Sequence, residues 1–205
     1  MRPSRLNQRR VKLLEASLKV FARKGYHQTA VSDIVSASKI GHGTFYGYFQ
    51  SKPAVFKALL ELIYDRILQK LIAEPFDACL TLADYRAQLM RIGDRLFELF
   101  KQQPELARVV FYESWVAEGD ITTLTQNTFD AFKRFTQMYL LHGVNKGYLR
   151  NDFDTATAAS AINMMLFEAM KAVLRSTEPD AEFDKWKRVV STMIIEGLGA
   201  ASKPV

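Results

Sequence analysis

Apolar residues recur every three or four positions along almost the whole chain, a period that predicts helices rather than strands. Leu13, Leu14, Leu18, Phe21 and Ala22 mark one face of a first helix from about Asn7 to Lys24, with Gly25 as its C-terminal stop. Thr29 is placed as the N-cap of a short helix through Val31, Ile34 and Val35. Lys39-Ile40-Gly41 forms a tight connection to a second short helix, His42 to Phe49. Ser51 then caps a longer helix reaching Ala73, with Pro53 in its first turn, where proline is tolerated. Beyond Pro75 the pattern predicts helices at about Leu82–Gln102, Pro104–Glu118, Thr122–Lys146, Thr155–Ser176 and Glu182–Ala200. Gly119-Asp120 and Gly147 punctuate this region, and Glu178-Pro179-Asp180 is read as a loop.

Charge divides the chain where periodicity does not. Residues 1–60 hold eleven Lys/Arg against two Asp/Glu, and the remainder seventeen against twenty. A basic head on a slightly acidic body suits a polyanion partner for the head and another task for the body. The Met1–Arg10 segment is basic, but amphipathic sequence follows it rather than an apolar signal core. No apolar run approaches bilayer length, so no membrane partner is expected. Cys79 is the sole cysteine, which permits no intrachain disulfide or cysteine-based metal site and points to the cytoplasm.

Within the head, two short helices separated by three or four residues after a longer amphipathic one have the layout of a helix-turn-helix. The second short helix is too short and too aromatic to stand alone, so Ile34, Ile40, Phe45 and Phe49 are expected to anchor it. His42, Thr44, Tyr46, Gly47 and Tyr48 are left for an outward face, where hydroxyls, amides and nearby lysines suit phosphate oxygens.

These residues resemble the signature of TetR-family regulators: Gly25-Tyr26-His27-Gln28-Thr29, Asp33-Ile34-Val35, and Ile40-Gly41-His42-Gly43-Thr44-Phe45-Tyr46-Gly47-Tyr48-Phe49-Gln50-Ser51-Lys52. The resemblance covers about the first quarter of the chain. It implies an all-α protein of about nine helices. A three-helix helix-turn-helix DNA-binding domain (1–52) would precede a helical effector-binding and dimerisation domain (53–205). It further implies DNA contacts from Thr29, Lys39, His42, Thr44, Tyr46, Tyr48 and Lys52. Gly41 stands where many members carry a capping serine, and Gly47 where histidine is frequent, departures that bear on which operator is read. The implied function is a repressor that binds a pseudo-palindromic operator as a homodimer and is released by a small, largely apolar effector.

Two apolar stripes in the body suit the dimer. Thr157, Ala158, Ala161 and Met165 lie on one helix, and Phe183, Trp186, Val190, Met193, Ile194 and Gly197 on the last; both stripes could instead face the protomer's own core. An effector pocket is expected from Phe97, Phe100, Phe111, Glu113, Trp115, Phe132, Tyr139, Asn163, Phe167 and Glu168, with plain core packing as the alternative for each aromatic. Glu113, Asn163, Glu168 and His142 interrupt apolar runs, and their convergence would mark a ligand's polar head. No phosphate-cradling glycine loop, zinc-binding His-Glu-x-x-His or nucleophile elbow is present, so no enzyme, cofactor or metal is expected. A helical carrier of hydrophobic ligands and a transcriptional activator on the same scaffold are the competing readings.

Overall fold

The computed structural model describes residues 5–200, so part of the basic Met1–Arg10 segment and the extreme C-terminus lie outside it. In order, the elements are α1 (Arg5–Lys24), α2 (Val31–Ser38), α3 (His42–Tyr48), α4 (Lys52–Ile72), a short 3-10 turn (Phe76–Ala78), α5 (Leu82–Gln102) and α6 (Pro104–Arg108). A π turn (Val109–Glu113) follows, then α7 (Ser114–Val116), α8 (Asp120–Lys146), α9 (Thr155–Arg175) and α10 (Pro179–Leu198). With the interrupted Pro104–Val116 run taken as one helix, the described residues form the expected nine. The chain divides into two compact units: a head formed up to Arg66 and from Gln103–Asn127, and a body formed from Ile67–Gln102 and Thr128 onward.

Three local readings are corrected. Thr29 is not the cap of α2. The N-cap is Ala30, whose N–H is satisfied by the Asp33 carboxylate at 2.8 Å. Thr29 is buried, and its hydroxyl donates to the Gly25 carbonyl at 2.7 Å. The loop expected at Glu178-Pro179-Asp180 ends at Glu178: Pro179 opens α10, its fixed φ and missing N–H suiting a first helical position. The helix after Pro104 is broken by a π turn that apolar spacing does not reveal.

In the head, α1 packs on α2 and on α6. Phe21 meets Phe56 edge-on at 4.6 Å between centroids, and Tyr26 lies 4.7 Å from the same ring. Leu13, Ile34, Phe45, Leu59, Leu60 and Leu106 are fully buried around them. Ile40 is only half-buried, whereas Phe49 joins the core as expected. In the body, α10 packs on α5 and α9 over a core of Tyr85, Tyr139, Leu140, Tyr148, Ile162, Val190 and Ile194. Gly143 is required there, because a Cβ would come within 2.5 Å of the Leu149 side chain. Main-chain bonds from Arg150 N–H to Leu198 and from Ala200 N–H to Tyr148, both 3.0 Å, close the body.

Candidate functional site

The head presents one side of α3 to solvent and spends the other on its core. Phe45 and Phe49 are buried at 0% and 5% exposure, while Tyr46 stands 55% exposed. His42 is exposed on the same outward side, and Thr44 and Tyr48 are half-buried at its margin. A seven-residue helix is too short to persist in isolation, so its orientation is set by Phe45 and Phe49. Lys39 ends α2 in the left-handed conformation at φ +56, with its side chain exposed. Glycine would be free of strain at that position.

Two of the seven expected DNA contacts are otherwise engaged. The Thr29 hydroxyl hydrogen is committed to the Gly25 carbonyl. Lys52 points its ammonium at the carbonyls of Tyr26 (2.8 Å) and His27 (3.3 Å) and lies 4.6 Å from the Tyr26 ring centre. Lysine suits this role because backbone carbonyls at a helix C-terminus carry partial negative charge. Arg10, absent from the expected set, lies over Phe49 with its guanidinium carbon 5.7 Å from the ring centre, adding a cation beside the end of α3. Nothing in sequence spacing would have paired those two residues. On α2, Asp33 is held below the usual carboxylate range, first by its bond to Lys24 (2.7 Å) and next by the Ala30 N–H. Elsewhere on the head, a cleft of about 540 Å³ opens beside Lys19, Arg23, Ala37, Pro104, Glu105 and Arg108.

The expected pocket residues divide between the two units. Phe111, Glu113 and Trp115 belong to the head. Phe97, Phe100, Phe132, Tyr139, Asn163, Phe167 and Glu168 belong to the body. The four polar markers do not mark a shared ligand group, because each is satisfied locally. Glu113 accepts from the Tyr26 N–H at 2.8 Å. His142 Nε2 bonds the Cys79 carbonyl at 2.8 Å. Asn163 Nδ2 donates to Thr136 Oγ1 and to the Ala159 carbonyl, both at 2.8 Å. Glu168 is exposed and pairs with Arg175 at 2.6 Å, which holds its carboxyl below the usual range. Tyr139 is buried and donates to the Glu74 carbonyl, burial being the first cause of its raised hydroxyl pKa. Trp115 is 46% exposed, and Phe97 is spent on a stack with Phe183. Phe132 and Phe167 both neighbour Phe129, at 6.1 and 5.3 Å, and Phe100 is buried.

The dimer stripe on α10 is corrected in the same way. Phe183, Trp186, Val190 and Ile194 face the protomer's own core, since α10 packs against both α5 and α9. Trp186 donates its indole N–H to Glu182 at 2.9 Å. Ala158 and Met165 pack partly against that core too. Ala161, Met193 and Gly197 remain exposed. Beside them stand Thr157, Met164 at 59% exposure and Val189 at 50%. Val189 and Met193 lie one position before the buried Val190 and Ile194. A second stripe offset by one residue was the signal available in the sequence.

An all-helical chain with a three-helix head presenting α3 outward defines the class of helix-turn-helix transcriptional regulators. Residues 13–59 match the model of the bacterial regulatory proteins, tetR family. The HTH-type transcriptional regulator YuxN of Bacillus subtilis (strain 168) is 34% identical over 86 residues, 42% of this chain and 30% of YuxN. The chain thus spans less than a third of that relative's length. YdgC of the same organism, another HTH-type transcriptional regulator, is 23% identical over 160 residues, 77% of this chain and 76% of YdgC. Among solved structures, a transcriptional regulator from Saccharomonospora viridis in complex with choline superposes with a TM-score of 0.77 at 20% identity, covering 95% of this chain and 100% of that one. FadR from Bacillus subtilis in complex with stearoyl-CoA does so with a TM-score of 0.70 at 18% identity, covering 91% and 98%. At these identities the structural likeness establishes a shared fold. The tetR-family match is to the head, residues 13–59, and the structural likeness extends the shared fold over the rest of the chain.

Proposed function

We propose that the protein is a ligand-responsive repressor that binds a pseudo-palindromic operator as a homodimer. The outward face of α3 carries this reading: exposed His42 and Tyr46, flanked by Thr44 and Tyr48, on a helix anchored by Phe45 and Phe49 in a basic head. Tyrosine and threonine hydroxyls donate to phosphate oxygens, and the N-terminal residues of a recognition helix reach base edges. Lys39 and Arg10 supply cations nearby. One seven-residue helix offers few contacts, so two heads acting on half-sites about 34–36 Å or a multiple apart supply the affinity. The exposed residues Thr157, Ala161, Met164, Val189, Met193 and Gly197 form the interface in this reading.

The effector is a small, largely apolar molecule held in the body near Phe100, Phe132 and Phe167. The aromatic grouping of Phe129, Phe132 and Phe167 supports this placement. The two liganded structural neighbours hold chemically different molecules, stearoyl-CoA and choline, so effector choice rests on side chains rather than on the fold. Effector binding releases DNA by favouring a dimer geometry in which the two α3 helices are wrongly spaced.

Selection of duplexes from a random pool, followed by titration at several salt concentrations, tests the reading. A palindromic consensus bound by two protomers, with a steep negative salt slope, is expected. Absence of DNA binding at low salt would refute it and favour a carrier of hydrophobic ligands.

A further inference from the structure

A buried carboxylate in the head faces a backbone amide instead of a cation. Glu113 is 9% exposed, and its Oε2 accepts from the Tyr26 N–H at 2.8 Å. Among the described residues it forms no ion pair. Removing a carboxylate from water is costly unless charge and hydrogen bonds compensate, and a leucine or methionine would fill the same space without that cost. Packing therefore does not account for an acid here. The bond it makes does.

Two features aim Glu113 at the end of α1, and a third ties the same turn to the same run. The π turn Val109–Glu113 breaks the α-helical register of the Pro104–Val116 run, changing the direction in which its last side chain points. Gly25 closes α1 at φ +85, and a Cβ there would stand 3.4 Å from Glu113 Oε2, so the carboxylate lies directly against this residue. His27 Nε2 bonds the Val116 carbonyl at 2.8 Å, a second tie from the same turn to the same run. From α4, Lys52 holds the Tyr26 and His27 carbonyls. The Gly25–Gln28 turn is thus gripped by its amide from the α6–α7 run and by its carbonyls from α4. It leads directly into α2, on which α3 packs.

We propose that Glu113 is a positioning residue for DNA binding: its grip on the Tyr26 amide fixes the Gly25–Gln28 turn, and with it α2 and α3, to the α6–α7 run. The proposal rests on the DNA-binding reading above.

The test compares full-length wild-type protein with E113Q and E113D on the selected operator duplex. Each is also melted thermally, and the exchange of the Tyr26 amide is followed by NMR. Glutamine keeps the reach and an accepting oxygen while losing the charge. Aspartate keeps the charge and withdraws it by one methylene. Operator affinity is expected to follow reach: E113Q within about threefold of wild type and E113D weaker by tenfold or more. Tyr26 amide protection should fall in E113D alone, with the salt slope unchanged. A folded E113D that binds as tightly as wild type would overturn the proposal. So would losses in both variants that merely track their melting temperatures. Wild-type protein that binds no duplex would instead overturn the DNA-binding reading itself, which separates the two failures.

Discussion

Phe183 lies flat on Phe97, with ring centroids 4.0 Å apart and planes within 4° of each other. The stack joins α10 to α5. It takes one residue from the expected dimer stripe and one from the expected pocket, and assigns both to the body's own packing. Lys101 and Lys187 lie over the Phe97 and Phe183 rings, 5.7 and 5.5 Å from their centres, and pair with Asp180 and Asp94 across the same two helices. Those ion pairs are largely solvent-exposed and contribute little individually. Removing Phe183 should therefore cost more than removing either lysine. Phe183→Ala is expected to destabilise the protein by about 2–4 kcal/mol in urea titration, the half-buried ring placing it toward the lower end. A double-mutant cycle with Phe97→Ala should return a coupling of about 0.5–1.5 kcal/mol. Zero coupling would mean that the rings are neighbours without mutual stabilisation.

Adjacent residues of α3 separate folding from recognition. Tyr46 is 55% exposed and Phe45 is fully buried. Tyr46→Phe should leave stability within about 0.5 kcal/mol of wild type and weaken operator binding by roughly 1 kcal/mol, about fivefold, through loss of one hydroxyl contact. Phe45→Ala should cost about 3–5 kcal/mol of stability and take DNA binding with it. Parallel melting curves and operator titrations decide the matter. Equal effects of the two changes on both readouts would mean that the outward face of α3 is not the contact surface.

Lys39 offers a test in which stability and affinity move in opposite directions. Its φ of +56 costs a non-glycine residue roughly 1–2 kcal/mol. Glycine relieves that strain but raises the unfolded chain's entropy by about 0.5–1 kcal/mol. Lys39→Gly should therefore melt at or slightly above wild type. If the ammonium neutralises a phosphate, the salt slope of operator binding should become shallower by about 0.9. An unchanged slope would remove Lys39 from the interface.

What the sequence conveyed well was what repeats along a helix. The limits of α5 follow from apolar spacing alone, and α8 and α9 differ from their expected bounds by no more than two residues. What it conveyed poorly was which neighbour each face meets. Val190 and Ile194 are as apolar as an interface stripe would be, and only the packing of α10 on α5 and α9 shows that they are internal. The Pro104–Val116 run follows the same logic. Its residues are distant from α1 in sequence, yet α6 packs on α1 and Glu113 bonds Tyr26. Local propensity could not reveal a π turn whose last residue bonds a partner 87 residues away. Thr29 failed as a cap for a related reason. Threonine is a good cap, but its hydroxyl donates to the Gly25 carbonyl, and the helix starts one residue later, at Ala30, whose own N–H is met by Asp33.

Acid stability should depend on Glu74. Its carboxylate is buried and bridges Arg91 (3.0 Å) and Arg95 (2.8 Å). The Arg91 bond, followed by the nearby guanidinium charges, outweighs desolvation and holds its pKa below the ordinary value of 4.5. A carboxylate with a depressed folded-state pKa stabilises the protein above its unfolded pKa and loses that contribution as pH falls through the folded value. Glu74→Gln should therefore be less stable than wild type near neutrality, with the gap closing as pH drops below the usual carboxylate range. A gap that stays constant down to the acid transition would show that the ion pairs contribute nothing dependent on ionisation.

The dimer proposed above predicts that a charge on the exposed side of α10 breaks assembly without breaking the protomer. Met193 is 56% exposed while its neighbour Ile194 is 4% exposed, so a single step along the helix separates the two outcomes. In a two-fold interface each substitution appears twice, and a new carboxylate meets apolar surface or its own symmetry mate. Met193→Glu together with Val189→Glu should shift sedimentation from a two-protomer to a one-protomer mass, while helical content stays unchanged. Operator binding should then fall to the weak level of one head on one half-site. Ile194→Glu, by contrast, buries an unpaired carboxylate in the core of the body and should unfold it, because several kcal/mol of desolvation go uncompensated. A double variant that still sediments as a dimer would move the interface away from the Val189–Met193 face.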